Sequence, residues 1–316
     1  MKKSIILGLA FAAGILAWES CQKDSTTETT PSLSGLTISE SIPYVAKGTD
    51  LVFEADFNDI ISSDGTDPGV LGLIWQVNSE EVDTLSYNLP QDYKPFSFHV
   101  EELGSYTIKC YAYSNKGGYY SASASTTFNA VDPDTALTGL EGSPETAVGS
   151  IQVRTATIGG AVWMSQNLFG TDSGIDYKSS SVISPLFGRY YTWDEAMTAC
   201  PAGWHLPSAA EWDALGTDAG ALMAKAVFLE EDMWKLTQNQ NITNTLKFNA
   251  IPVGYIDNSA SYQAEHGFGQ YAAFWTADAA DADRAHFRYI RYDEATVSPA
   301  KGDKSTMAMS VRCVKD

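Results

Sequence analysis

Basic residues are scarce in this chain. Lysine and arginine number 20 against 39 aspartates and glutamates, leaving a formal charge of −19. That deficit argues against nucleic acid as a partner, because phosphate binding needs clustered Lys and Arg. It argues equally against electrostatic docking on anionic lipid. Histidine is thin too, at four positions: His99, His205, His266 and His286. None stands in an H-E-x-x-H or other metal-ligand spacing. No G-x-S-x-G surrounds a serine, and no glycine-rich phosphate loop is present. The apolar run at 5–17 covers only ~13 residues, where a membrane-spanning helix needs about 20.

What is there begins with that short run. Lys2 and Lys3 precede it, and its length suits the central region of a secretion signal. Cys21 follows almost at once, with Ser20 as the small residue before it, and residues 22–30 are polar. We expect cleavage before Cys21 and lipid on its thiol; ordinary secretion with a free Cys21 stays open. The stretch Cys21-Gln22-Lys23-Asp24 resembles the post-cysteine segment of Bacteroidetes surface lipoproteins. That resemblance implies an outer-membrane protein exposed at the cell surface. Export also permits a disulfide between Cys200 and Cys313, which leaves Cys110 over.

Composition then divides the chain. Residues 1–20 read as the signal peptide and 21–34 as a Thr/Ser/Glu-rich disordered tether. Residues 35–131 read as all-β. Leu51, Phe53, Ala55 and Phe57 alternate with Val52, Glu54 and Asp56, the pattern of a half-buried strand. Tyr106, Ile108, Cys110 and Ala112 share one face of another strand, so Cys110 reads as a buried thiol. Asn115-Lys116-Gly117-Gly118 is a turn. Short strands at this spacing suggest a β-sandwich. The mid-domain Trp75 and the run Gly104-Ser105-Tyr106-Thr107-Ile108 resemble immunoglobulin-like and PKD-type modules. Residues 132–150, rich in Pro, Gly, Thr, Ser and acid, read as a linker.

Residues 151–316 have a different texture. Gly159-Gly160 reads as a hairpin turn. Thr192 with Glu195, and Ser208 with Glu211, fit capping boxes that start two short helices. Five motifs stand in order: Trp163-Met164-Ser165-Gln166-Asn167-Leu168, the run from Cys200 to Trp212, Pro252-Val253-Gly254-Tyr255, Phe274-Trp275-Thr276, and Val311-Arg312-Cys313-Val314. Together they resemble the Fibrobacter succinogenes major paralogous domain. Their order is also similar to the formylglycine-generating enzymes and, beyond them, the C-type lectin-like fold. The resemblance implies a mixed α/β domain of lectin-like architecture. It also implies a Cys200–Cys313 disulfide joining the first helix to the last strand.

No residue stands out as catalytic, so a non-enzymatic protein is expected. His205 reads as a packed, hydrogen-bonded residue. Tyr255, Tyr262, Phe268, Tyr271 and Trp275 concentrate aromatics in one region and are the candidate ligand-binding residues, since such rings stack on sugars or anchor proteins. Core packing accounts for part of them. Asp278, Asp281 and Asp283 read first as a solvated acidic loop, with a Ca²⁺ site as the weaker alternative; no other cofactor is implied. The expected function is a lipid-anchored surface protein, its β-sandwich a stalk for a head that binds a glycan or a matrix protein. A pilus-associated subunit, which needs an open strand-exchange edge, is the alternative. An enzyme related to the formylglycine-generating family is a third.

Overall fold

The computed structural model describes residues 29–69, 71–85, 94–235, 241–258 and 264–316. Cys21 and Tyr262 lie outside the described residues. Strands dominate, and the α-helices are short, none longer than Trp193–Ala199 among the described residues. None is long and apolar enough to cross a membrane.

The first unit is a two-layer β-structure. One layer is a five-stranded sheet in the order Tyr44–Ala46, Ala122–Val131, Gly104–Ser114, Leu71–Val77, Glu80–Leu85. The other is built from short pairs, chiefly Asp50–Phe53 with Phe96–His99. Alternation decides which side chains lie between the layers. Phe53 and Ala55 are buried, while Val52, just before Phe53, is 58% exposed. Ile108, Cys110 and Ala112 point inward from the long strand. Trp75 stacks on Phe96 across the layers at 5.2 Å. Burial pushes the Cys110 thiol up to about 12, so it is an inert core residue.

Two segment boundaries differ from the compositional reading. Leu33–Ser34, placed in the tether, pairs with Ile61–Ser62, and Leu33 is buried. Its one large apolar side chain is enough to bring the segment into the sandwich. Residues 132–150, read as a linker, are folded. Leu137–Thr138 pairs with Val227–Phe228, and Thr146–Val148 forms a hairpin with Ile151–Val153 around Gly149 at φ 60°. Pro and Gly mark tight turns as readily as they mark linkers.

The two units meet in a packed seam. The Tyr44 ring stands edge-on to Phe228 at 5.5 Å and beside Tyr177 at 6.3 Å. The Tyr44 backbone N–H donates to Ser180 Oγ at 3.2 Å. Val131, at the end of its strand, is fully buried in the same cluster.

The second unit is a set of small sheets with short helices, less helical than a mixed α/β domain would be. A four-stranded sheet runs Thr155–Ile158, Ala161–Met164, Val314–Lys315, Trp204–His205. A three-stranded sheet runs Tyr271–Ala279, Arg284–Arg291, Ser298–Asp303. Both capping boxes are made: Glu195 accepts from the Thr192 N–H and Glu211 from the Ser208 N–H, each at 2.8 Å. Cys200 and Cys313 are bonded, closing a separation of 113 residues. In the chain-entropy picture a loop of that size contributes about 4–5 kcal/mol.

Candidate functional site

The sequence motifs of the second unit converge on each other in the interior. Trp163 stands edge-on to Trp212 at 5.4 Å, Trp212 contacts Phe274 at 5.1 Å, and Phe248 touches all three. Arg312 lies among them with no exposure, its guanidinium 4.6 Å from the Phe248 ring centroid. It donates to Asn167 Oδ1 at 2.8 Å and to the carbonyls of Met164, Phe248 and Asn249 at 3.2, 2.6 and 2.9 Å. Burial pulls Arg312 down to about 9, which still leaves it charged at neutral pH. Asn249 then donates to Ser165 Oγ and to the Glu141 carbonyl, at 2.9 and 2.8 Å. The first and last motifs are therefore tied by a buried polar network. Their residue types are explained by architecture, because buried polar groups must be paired.

His205 is a clamp near the surface. Its Nε2 is 2.9 Å from Glu211 and its Nδ1 is 2.7 Å from Asp316. Burial opposes its charge, but the hydrogen bonds and charges of the two carboxylates outweigh that, and its pKa is raised. For Glu211, burial works against ionisation, while the Ser208 N–H and His205 lower its pKa.

The three acidic candidates have separate tasks. Asp278 Oδ2 accepts from the Ala209 N–H at 2.6 Å, at the start of the helix Ala209–Ala214. Asp281 pairs with Arg284 at 2.8 Å. Asp283 is exposed. Lys304 Nζ takes the carbonyls of Asp281 and Ala282 at 2.9 and 3.0 Å while lying 4.5 Å over the Trp193 ring. The loop is held by this internal cation, and no group of carboxylates among the described residues is gathered for a metal ion.

The aromatic candidates divide. Trp275 is fully buried and donates from Nε1 to the Tyr191 carbonyl at 2.8 Å, so it is core. Phe268 stacks on Tyr177 at 4.9 Å and packs against the seam cluster. Tyr255 and Tyr271 remain partly exposed, edge-on to one another at 6.2 Å. They belong to a row of rings: His266 stacks on Tyr255 at 5.5 Å, Tyr271 meets Tyr289 at 6.2 Å, and Tyr289 meets Phe287 at 6.1 Å. His266 is exposed and the other four are half-buried. The row crosses from the strand Tyr255–Asp257 to the neighbouring sheet, where Tyr271 pairs with Arg291 and Ala273 with Tyr289. Sequence reading missed Phe287, Tyr289 and His266. The signal for the first two was present, since Phe287, Tyr289 and Arg291 alternate along one strand face.

Polar groups border the row. Arg291 pairs with Asp293 and, at 2.9 Å, with Glu294. Asp257 lies close enough to Tyr255 to oppose its ionisation, although burial is the larger cause of its raised pKa. A separate recess of about 550 Å³ opens between the two units, lined by Leu103, Val131, Asp132, Thr135, Val227 and Leu229 among others. It contains none of the candidate residues.

The family model described as the Fibrobacter succinogenes major domain matches residues 156–315. No curated protein matches the chain. Among solved structures, a quinonprotein alcohol dehydrogenase-like protein from Bacteroides thetaiotaomicron is 10% identical, with a TM-score of 0.20; the match covers 83% of this chain and 47% of that one. The chain thus spans under half the length of that protein. A structure concerning carbohydrate-binding modules of the β-sandwich superfamily is 12% identical, with a TM-score of 0.25 and coverage of 91% and 92%. At these scores neither likeness bears on fold or function.

Proposed function

The chain belongs to the Fibrobacter succinogenes major domain family through residues 156–315, and from that premise we propose a non-enzymatic surface protein, anchored in the outer membrane by lipid on Cys21, whose family domain binds a glycan or protein ligand. The observation that carries the reading is the row of partly exposed rings from His266 to Phe287. Aromatic faces with one wet side are the anchors of recognition surfaces.

The first unit suits a spacer. Pro31 and Leu33 bond the backbone of Tyr120, while the strand that follows ends at Val131 in the seam with the second unit. The chain thus enters at one end of the strand Ala122–Val131 and the family domain sits at the other. Ten strand residues span roughly 30 Å. The packed Tyr44 seam makes this spacer stiff. A lectin-like topology for the family domain is part of the proposal. It is supported by the pairing of Ala161–Met164 with Val314–Lys315, which brings an early strand against the last.

The pilus reading requires a free edge on the five-stranded sheet. One edge, Tyr44–Ala46, is covered by Ser180 and Tyr177 of the second unit. The other, Glu80–Leu85, opens on the exposed Glu80, a charge of the kind that blunts edge pairing. No observation favours an enzyme.

A screen of the intact protein on glycan and matrix-protein arrays tests the proposal. Binding is expected, and it should fall in Tyr255→Ala and Tyr271→Ala. Binding unchanged by both substitutions would contradict it.

A further inference from the structure

We infer that the ligand of the aromatic row is a neutral, extended oligosaccharide that lies along several rings at once. This rests on the binding role proposed above and names its ligand class. Three observations converge. First, the rings form a single file. Four successive contacts, from His266 through Tyr255, Tyr271 and Tyr289 to Phe287, have centroid spacings of 5.5 to 6.2 Å. Their planes meet at 27°, 89°, 50° and 45°, so the file offers edges and part-faces in succession rather than one flat platform, and a ligand that meets several of them must be extended. Second, the large apolar side chains most exposed among the described residues lie elsewhere: Ile42, Val52, Ile61, Leu103, Tyr120, Met197 and Leu229. Protein interfaces are built around a buried apolar patch. A row of half-wet rings, packed on the same core cluster as Met307, suits the C–H faces of pyranose rings better. Third, the border is acidic. Asp257, Asp293 and Glu294 outnumber Arg291, whose guanidinium bonds Asp293, Glu294 and Tyr271. A uronic acid or sulfated sugar would meet like charge, and like-charge juxtaposition is a strong device for excluding ligands. The polar atoms of the same border can accept hydrogen bonds from sugar hydroxyls.

Titration calorimetry on the intact protein tests this. The probes are cello-, xylo- and manno-oligosaccharides of one to six rings, with oligogalacturonides of the same lengths. Affinity for at least one neutral series should rise with length over several rings, and oligogalacturonides should bind at least tenfold more weakly. Tyr271→Ala and Tyr289→Ala should each lower affinity about fivefold to tenfold. Tyr271→Phe keeps the ring but loses the hydrogen bond to Arg291, so its affinity should fall between those of the parent and Tyr271→Ala. Met197→Ser, on an exposed helix face remote in sequence from the row, should change nothing. The double variant Asp293→Asn with Glu294→Gln removes two negative charges from the border and should bring oligogalacturonide affinity up toward the neutral series. The inference is overturned by tighter binding of oligogalacturonides, by affinity that stops rising at one ring, or by no binding of any neutral series. Ligand capture that still depends on Tyr271 in those cases leaves the broader binding role standing. Loss of Tyr271 dependence for every ligand removes both.

Discussion

Replacing Arg312 by methionine should be among the most damaging single changes to the family domain. The methionine keeps an apolar side chain over Phe248 and Phe274, where the guanidinium now lies 4.6 and 5.6 Å from the ring centroids. What disappears is the set of donors. Asn167 Oδ1 and the carbonyls of Met164, Phe248 and Asn249 all accept from Arg312 in the buried interior. Each buried acceptor left without a partner costs about 1–3 kcal/mol. The orphans relax together, so their costs do not add in full, and removing the buried charge gives back part of its desolvation. Four orphaned acceptors, partly relaxed and partly offset in this way, make the expected loss for Arg312→Met about 3–5 kcal/mol. For a domain of this size it corresponds to a fall in Tm on the order of 10 °C. The assay is chemical denaturation of the intact protein, disulfide oxidised, followed by tryptophan fluorescence. Asn167→Ala should be milder, losing the Arg312 bond and its own 2.7 Å donation to the Phe187 carbonyl. The double variant should fall short of the sum by about 1 kcal/mol or more, the sign of two groups in one network. Arg312→Met within about 1 kcal/mol of the parent would refute the reasoning.

Further expectations follow from other contacts. The His205 pKa is raised in the fold, so its contribution is complete below the unfolded value near 6.5 and is lost as pH rises through the folded pKa. The ring is 42% exposed, and solvent screening keeps the effect below about 1 kcal/mol. His205→Gln should therefore lower Tm at pH 5.5 and approach the parent at high pH; a gap that widens with pH would contradict the clamp. Reducing the Cys200–Cys313 bond, or replacing both by serine, should cost about 4–5 kcal/mol by equilibrium denaturation. Thiol titration of the native membrane-extracted protein should find Cys110 unreactive and one thiol after unfolding; two thiols would mean that Cys21 carries no lipid. Tyr44→Ala removes the half-buried ring between Phe228 and Tyr177 and should cost about 2 kcal/mol. The same variant should open residues 132–137 to limited proteolysis.

Much of the local structure was legible from the chain alone. The alternation around Phe53 and along Ile108, Cys110 and Ala112 gave the strands and their inward faces, because a period of two leaves only one choice of face. The two capping boxes and the Gly159-Gly160 turn are local devices, and local devices read locally. The buried network was not legible. Asn167 and Arg312 are 145 residues apart, and Asn249 reaches its place with φ at 57°, a conformation that asparagine tolerates and no motif announces. The folded segment at 132–150 was obscured for a related reason. Its partners, Val227–Phe228 and Asn249, lie far along the chain. The ring row was half-seen. Tyr255 and Tyr271 came from aromatic density, but Tyr289 and Phe287 join them only through pairing between Tyr271–Ala279 and Arg284–Arg291. Trp275 was drawn into the candidate site by the same density and belongs to the core, since density cannot tell the two faces of a strand apart; Phe268, half-buried in a turn, packs toward the seam instead.

Footprinting of the intact protein with hydroxyl radicals, with and without a bound ligand, tests the central claim most directly. The account predicts protection of Tyr255, Tyr271, Phe287 and Tyr289, with Leu103 and Leu229 at the recess between the units unchanged. Protection at Leu103 and Leu229 with the ring row still reactive would contradict it and place the binding site between the units.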